Sequence, residues 1–234
     1  MTELDFDRFD VLTFDCYGTL IDWEAGLLAA FRDPIAAHGI TAADEDVLSA
    51  FARHEAEIEA GPYRTYRAVL GEVLTRMLGH FGQVATPEEV AAFGGSVADW
   101  PAFSDSAAAL ARLHERFKLG VITNCDDDLF AASERRLGLT FDTVVTAQQT
   151  RRYKPNPRGF ELAFERIGLP PARILHVAQS LFHDHVPAKR LGLTTVWVDR
   201  RGARPGAGAT PPATATPDLT VRDMATLAAL AVPS

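Results

Sequence analysis

The stretch FDVLTFDCYGTLID, residues 9 to 22, decides the fold. Its first half is a continuous apolar run without strict alternation, the mark of a strand buried on both faces. The run closes on Asp15, and Gly18 and Thr19 follow at once. In open parallel sheets, ligands bind outside the carboxyl ends of the strands, where loop N–H groups are free. A carboxylate at such a place can serve as a nucleophile. Taken alone, an Asp there can equally cap a turn.

Working outward, similar runs recur: LGVITN (119 to 124), FDTVVTA (141 to 147), ILHVAQ (174 to 179) and TTVWVD (194 to 199). Helix-period segments such as PRGFELAFERIGL separate them, and Gly138, Gly168 and Gly192 stand where helix C-terminal caps belong. This alternation predicts an α/β fold, a Rossmann-like parallel sheet with helices on both faces. Between Trp23 and Trp100 no strand is legible. DEDVLSAFARHEAEIEA (44 to 60) carries Val47, Phe51 and Ile58 on one stripe, and YRTYRAVLGEVLTRMLGHF (63 to 81) is also amphipathic. An all-helical block after the first strand reads as a cap. The expected division is a core of residues 1–21 and 101–234 and a cap of 22–100. RGARPGAGATPPATATP (201 to 217) is too rich in Gly, Pro and Thr to be expected to pack. PDLTV and DMATLAALA supply a last strand and helix.

The chain has 234 residues, 47% of them apolar, an ordinary globular balance. Its formal charge of -8 gives no general affinity for nucleic acid or anionic membrane, so an anionic ligand needs a local cluster of donors. The acidic start MTELDFDRFD has no signal-like apolar segment, and no run approaches a membrane span. Two cysteines without framework spacing favour a reducing compartment, so the cytoplasm is expected. Cys16 and Cys125 each follow an expected site residue, as a redox-sensitive pair or as small core residues. The oligomeric state stays open, a homodimer being one option.

F-D-x-Y-G-T-L resembles the first motif of the haloacid dehalogenase superfamily, and three more motifs follow in order. Thr123 and Asn124 in VITN match the second, Lys154 in YKPNPRGFELA the third, and Ser180 and Asp184 in HVAQSLFHDHVPAKRLGL the fourth. The resemblance covers essentially the whole chain and implies that Asp15 is a covalent nucleophile. Phosphatases of the superfamily typically have a second Asp two residues after the nucleophile and a Gly-Asp in motif four for Mg²⁺. This chain has Tyr17 and Ala178-Gln179 there. A phenol is a poor acid at neutral pH, and a neutral amide is a weak Mg²⁺ ligand. The D-x-Y-G-T form is instead similar to the L-2-haloacid dehalogenases (type II). That resemblance implies attack of Asp15 on the halogen-bearing carbon of a short 2-haloalkanoate, with no metal and no cofactor. Halide needs no proton to leave.

By resemblance, Lys154 neutralises Asp15, and Asp184 orients or activates the hydrolytic water, unless it only caps a helix. Thr19, Thr123, Asn124 and Ser180 present donors to the substrate carboxylate or halide, beside Tyr17. Trp23 and His183 line the halide pocket. Arg53 stands at the family's place for a cap cation, although it lies off the apolar stripe; Arg64 and Arg67 are the substitutes. Asp126 to Asp128 suit a helix N-terminus. Phe160, Gln179 and Leu181 depart from the usual Tyr, Ser and Asn of these enzymes, which leaves substrate identity open. The rivals are a Mg²⁺-dependent phosphomonoesterase and a non-catalytic small-acid binding protein.

Overall fold

The computed structural model describes residues 4–202 and 209–233. Six strands form one parallel sheet: β1 (Val11–Phe14), β2 (Lys118–Thr123), β3 (Thr143–Thr146), β4 (Ile174–Ala178), β5 (Thr194–Val198) and β6 (Leu219–Val221). Their spatial order is β3-β2-β1-β4-β5-β6. β1 is central, with Phe14 level with Val121 of β2 and Val177 of β4. The strand order reverses between β1 and β4, the switch point at which open α/β sheets leave a crevice. Asp15 stands at the carboxyl end of β1, beside that crevice.

All four β1 residues are buried, because the sheet is covered twice. Successive side chains point to opposite faces. Val11 joins Ile122, Val145, Phe160 and Ile174 in one core, whereas Leu12 and Phe14 enter the other. That second core continues without a break into the helical block, through Leu27, Phe31, Phe51 and Leu70. The block contains α1 (Trp23–Ala37), α2 (Asp44–Glu59), α3 (Tyr66–His80) and α4 (Pro87–Gly95). Asp22 and Thr65 cap α1 and α3 through Ala25 and Ala68, and Thr86 with Glu89 forms a capping box on α4. An antiparallel bridge between Ile21 and Ala102 ties the two connections to the sheet together. Gly26 lets Trp100 lie directly on α1: a Cβ there would sit 2.3 Å from the indole.

The remaining helices are α5 (Ser106–His114), α6 (Asp127–Leu137), α7 (Ala147–Thr150), α8 (Arg158–Ile167), α9 (Val186–Arg190) and α10 (Met224–Ala231). Gly138 and Gly168 end α6 and α8 in the left-handed conformation, as expected of C-terminal caps. The Thr-Pro-rich loop departs from expectation. Residues 203–208 lie outside the described residues, but Ala209 and Thr210 are buried, and Arg201 pairs with Glu24 of α1 at 2.7 Å. Among the described residues, no helix is long and apolar enough to cross a membrane.

Candidate active site

The loop after β1 turns sharply at Gly18, whose φ of +92° favours glycine; a Cβ there would press on Trp23 Nε1 at 3.0 Å. The turn brings Thr19 back over the strand end. Thr19 Oγ1 donates to Asp15 Oδ2 at 2.7 Å and accepts from the Gln179 N–H at 2.9 Å, which locks the Asp15 rotamer. Lys154 reaches the other oxygen from the loop after α7, Nζ to Asp15 Oδ1 at 2.8 Å. It also donates to Asp184 Oδ1 at 2.7 Å and to the Ile122 carbonyl at 2.8 Å. All three ammonium protons are therefore committed. Asn124 holds the loop carrying this lysine: Lys154 N–H donates to Asn124 Oδ1 at 2.7 Å, and Asn124 Nδ2 to the Lys154 carbonyl at 3.1 Å.

Asp15, Lys154 and Asp184 are 6%, 4% and 0% exposed, so the triad is desolvated as well as paired. Burial raises Asp15 above the ordinary aspartate value against the pull of Lys154. Burial pushes Asp184 the same way, but Lys154 and His176 together outweigh it and hold Asp184 low. His176 contacts Asp184 Oδ1 at 3.1 Å and Thr13 Oγ1 at 2.9 Å, a support that sequence reading missed. Asp184 Oδ2 is buried without a partner. It is free to accept from a water beside Asp15.

These groups border a cavity of about 30 Å³, room for one or two waters. Tyr17, Trp23, Asn124, Ser180 and His183 also line it. The Tyr17 hydroxyl is engaged with Ser133 Oγ at 3.1 Å, and burial pushes its pKa well above 10. His183 is held down to about 4 by burial and stays a neutral imidazole. Thr123 is buried at the end of β2, its hydroxyl unpartnered and not among the cavity walls. A larger cleft of about 660 Å³ adjoins this cavity, sharing Glu59, Lys154 and His183 with it, whereas one of about 950 Å³ near Phe6 and Arg116 shares none of its residues.

The expected cap cation is not in this cavity. Arg53 is exposed and lines a separate groove with Phe31, Ile35 and Met77, because its place on α2 lies off the buried stripe. Arg64 pairs with Glu72 at 3.8 Å and Arg67 with Asp128 at 2.7 Å, both at the surface. The cap face of the cavity is formed by Glu55, Glu59 and Tyr66 instead, and Thr210 reaches it from the Thr-Pro loop. Glu55 had a readable signal, an acid on the stripe between Phe51 and Ile58. Asp126 does not serve its own helix by a side-chain cap. Its carboxylate accepts from the Tyr66 and Arg67 N–H groups at 2.9 and 3.0 Å, capping α3 from the core. Tyr153 adds a second tie, donating to the Arg64 carbonyl at 2.8 Å. Cys16 and Cys125 are free and fully buried, with thiol pKa values raised by burial, so they behave as small core residues.

A haloacid dehalogenase-like hydrolase model matches residues 9–184. The chain is 27% identical over 196 residues to the (S)-2-haloacid dehalogenase of Xanthobacter autotrophicus, covering 81% of this chain and 74% of that protein. The structure of L-2-haloacid dehalogenase from Xanthobacter autotrophicus superposes with a TM-score of 0.79 at 24% identity, over 95% of this chain and 98% of that one. The HAD-hydrolase YfnB from Bacillus subtilis, bound to magnesium, gives 0.76 at 20%, over 94% and 97%. These two likenesses speak for the fold, and the family match spans Asp15, Lys154 and Asp184. The chain belongs to the haloacid dehalogenase-like hydrolase family.

Proposed function

We propose that this chain is a metal-independent hydrolytic dehalogenase of short 2-haloalkanoates, working through an ester on Asp15 in the core (1–21 and 101–234) beneath the cap (22–100). The observation that carries the reading is Tyr17. Two residues after the nucleophile, its phenol is bonded to Ser133 and held well above its ordinary pKa, so it is a poor general acid for a leaving alkoxide. Halide leaves without a proton. The donor set also fits Mg²⁺ poorly, since Asp15 Oδ1 and Asp184 Oδ1 are both taken by Lys154 and the next position is the neutral Gln179.

Asp15 attacks the halogen-bearing carbon; the C–O bond forms as the carbon–halogen electron pair departs with the halide. Water then adds to the Asp15 carbonyl carbon, Asp184 Oδ2 taking its proton. Collapse expels the 2-hydroxyalkanoate oxygen, which receives that proton, and Asp15, left as the acid, returns to its carboxylate by releasing water's second proton to solvent. Lys154 and Thr19 hold the nucleophile in line, while Trp23, Asn124, Ser180 and His183 border the reacting carbon and halide. We place the enzyme in the cytoplasm. The test is halide release from chloro- and bromoacetate and (S)-2-chloropropionate, with and without EDTA. Release that EDTA leaves unchanged is expected. Hydrolysis of an aryl phosphate only with added Mg²⁺ would move the chain to the phosphomonoesterases, and binding of these acids without turnover would make it a sensor.

A further inference from the structure

Helix α2 sends two acids inward. Glu55 lies on its buried stripe, 4% exposed, and Glu59 follows one turn later on the same face. Both line the cavity that Asp15 also borders. Buried acids are ordinarily matched by a cation. Among the described residues, Lys154 is the one cation lining this cavity, and its three protons are spent on Asp15, Asp184 and Ile122. What the two glutamates receive is weaker. Tyr66 donates its hydroxyl to Glu55 Oε1 at 2.8 Å, and Asn124 Nδ2 approaches Glu59 Oε2 at 3.5 Å. Glu59 Oε1 is buried with no partner at all. Asp184 Oδ2, on a side chain with no exposure, is a second unpartnered atom on the same cavity. Asp184 is held ionised by Lys154 and His176, so its open oxygen can only accept, whereas Glu59, with no cation to itself, fits an acid whose O–H is open to a ligand's acceptor.

We propose that Glu55 and Glu59 recognise the anionic end of the substrate, receiving its carboxylate as uncharged O–H donors in the place where a cap arginine was expected. The inference rests on the dehalogenase reading and names the groups that select its substrate. The surroundings support it. Burial pushes Glu55 up to about 8, and burial followed by the charge of Glu55 pushes Glu59 well up. Two carboxylates one turn apart in such a place do not both ionise. A carboxylic acid kept neutral by its site donates a strong hydrogen bond to an anion, while its ionised form repels the same anion. The titratable groups facing the pair are Tyr66 from α3, Asp15 from β1, Tyr153 and Lys154 from the loop after α7, and His183 and Asp184 after β4. Burial holds His183 near 4 and Tyr66 far above neutrality, and Asp15 and Asp184 keep Lys154 an ammonium against its own burial. Glu55 is therefore the group placed to change charge near pH 8, and its charge bears on Glu59 beside it.

The sign follows directly. Anion binding is complete while the glutamates are protonated and is lost as pH rises through their pKa values. The probe is propionate, which has the carboxylate and no halogen, titrated calorimetrically into the full chain between pH 6.5 and 9. Above about pH 8 the wild-type Kd should rise by up to about tenfold per pH unit. Glu55→Gln/Glu59→Gln, whose amides still donate, should hold the pH 6.5 Kd within about threefold and flatten its pH dependence. Glu59→Leu, which cannot donate, should weaken binding at pH 6.5 by about tenfold or more. Circular dichroism confirms that each variant is folded. A wild-type Kd independent of pH, or a Gln variant as weak as Leu at pH 6.5, overturns the proposal. So does failure of wild type to bind propionate. Propionate binding with the expected profile but no halide release from any haloalkanoate would instead sink the dehalogenase reading and leave the donor pair standing.

Discussion

Replacing Lys154 with Met keeps most of the side-chain length and removes the one charge that joins Asp15 to Asp184. Their Oδ1 atoms lie 2.8 and 2.7 Å from a single nitrogen, hence within about 5.5 Å of each other. At an effective dielectric of about 20, two unit charges at that separation repel by about 3 kcal/mol. That is about two pKa units, so the higher-titrating carboxylate of the variant should move further up. Removing one partner of a buried ion pair costs about 3 to 5 kcal/mol, and this is the deficit expected at pH 8. An acid whose folded pKa is raised favours the folded state at low pH and loses that contribution as pH rises through the folded value. The gap between variant and wild type should therefore narrow by about 1 to 2 kcal/mol on going from pH 8 to pH 5. Urea denaturation followed by tryptophan fluorescence at both pH values measures it. A deficit equal at the two pH values, or smaller than about 1 kcal/mol, would refute the claim that Lys154 holds two ionised carboxylates together.

In a single turnover in ¹⁸O water with enzyme in excess, the first hydroxy acid should be unlabelled and the Asp15 peptide should gain the heavy oxygen; label in the first product would demote Asp15 to an electrostatic role. Arg53→Ala should leave halide release within about twofold of wild type, since Arg53 lines a separate groove; a tenfold rise in KM would show that α2 turns this residue inward during catalysis.

The sheet was legible because parallel strands covered on both faces must be apolar throughout, and all six runs read as strands are strands. Asp15, Lys154 and Asp184 were legible because each sits at a fixed distance from a strand end or turn, so local sequence carries its position. The cap side was not. Whether Arg53 or Glu55 faces the Asp15 cavity depends on how α2 is rotated against α1 and α3. An acid on an apolar stripe looks like a tolerated irregularity until the other wall of the cavity is known. Thr210 was hidden for a related reason: a low-complexity segment packs where a neighbouring surface receives it, and composition does not describe the neighbour. His176 sits inside ILHVAQ, where a lone histidine in a buried run does not reveal its partner.

The tie from Asp126 to the first turn of α3 bears on the timing of the reaction. The cavity of about 30 Å³ adjoins a cleft of about 660 Å³ that shares Glu59, Lys154 and His183 with it and has Tyr153 on its wall. Were α3 to lift from the core to admit a substrate, the Asp126 carboxylate would release two N–H groups and Tyr153 the Arg64 carbonyl. If the lifted form is populated at about one per cent, the apparent affinity is about a hundredfold weaker than that of the lifted form itself. Under the proposed function, bonds that shield an Asp15 ester from bulk water would also limit how fast a dilute substrate is taken up.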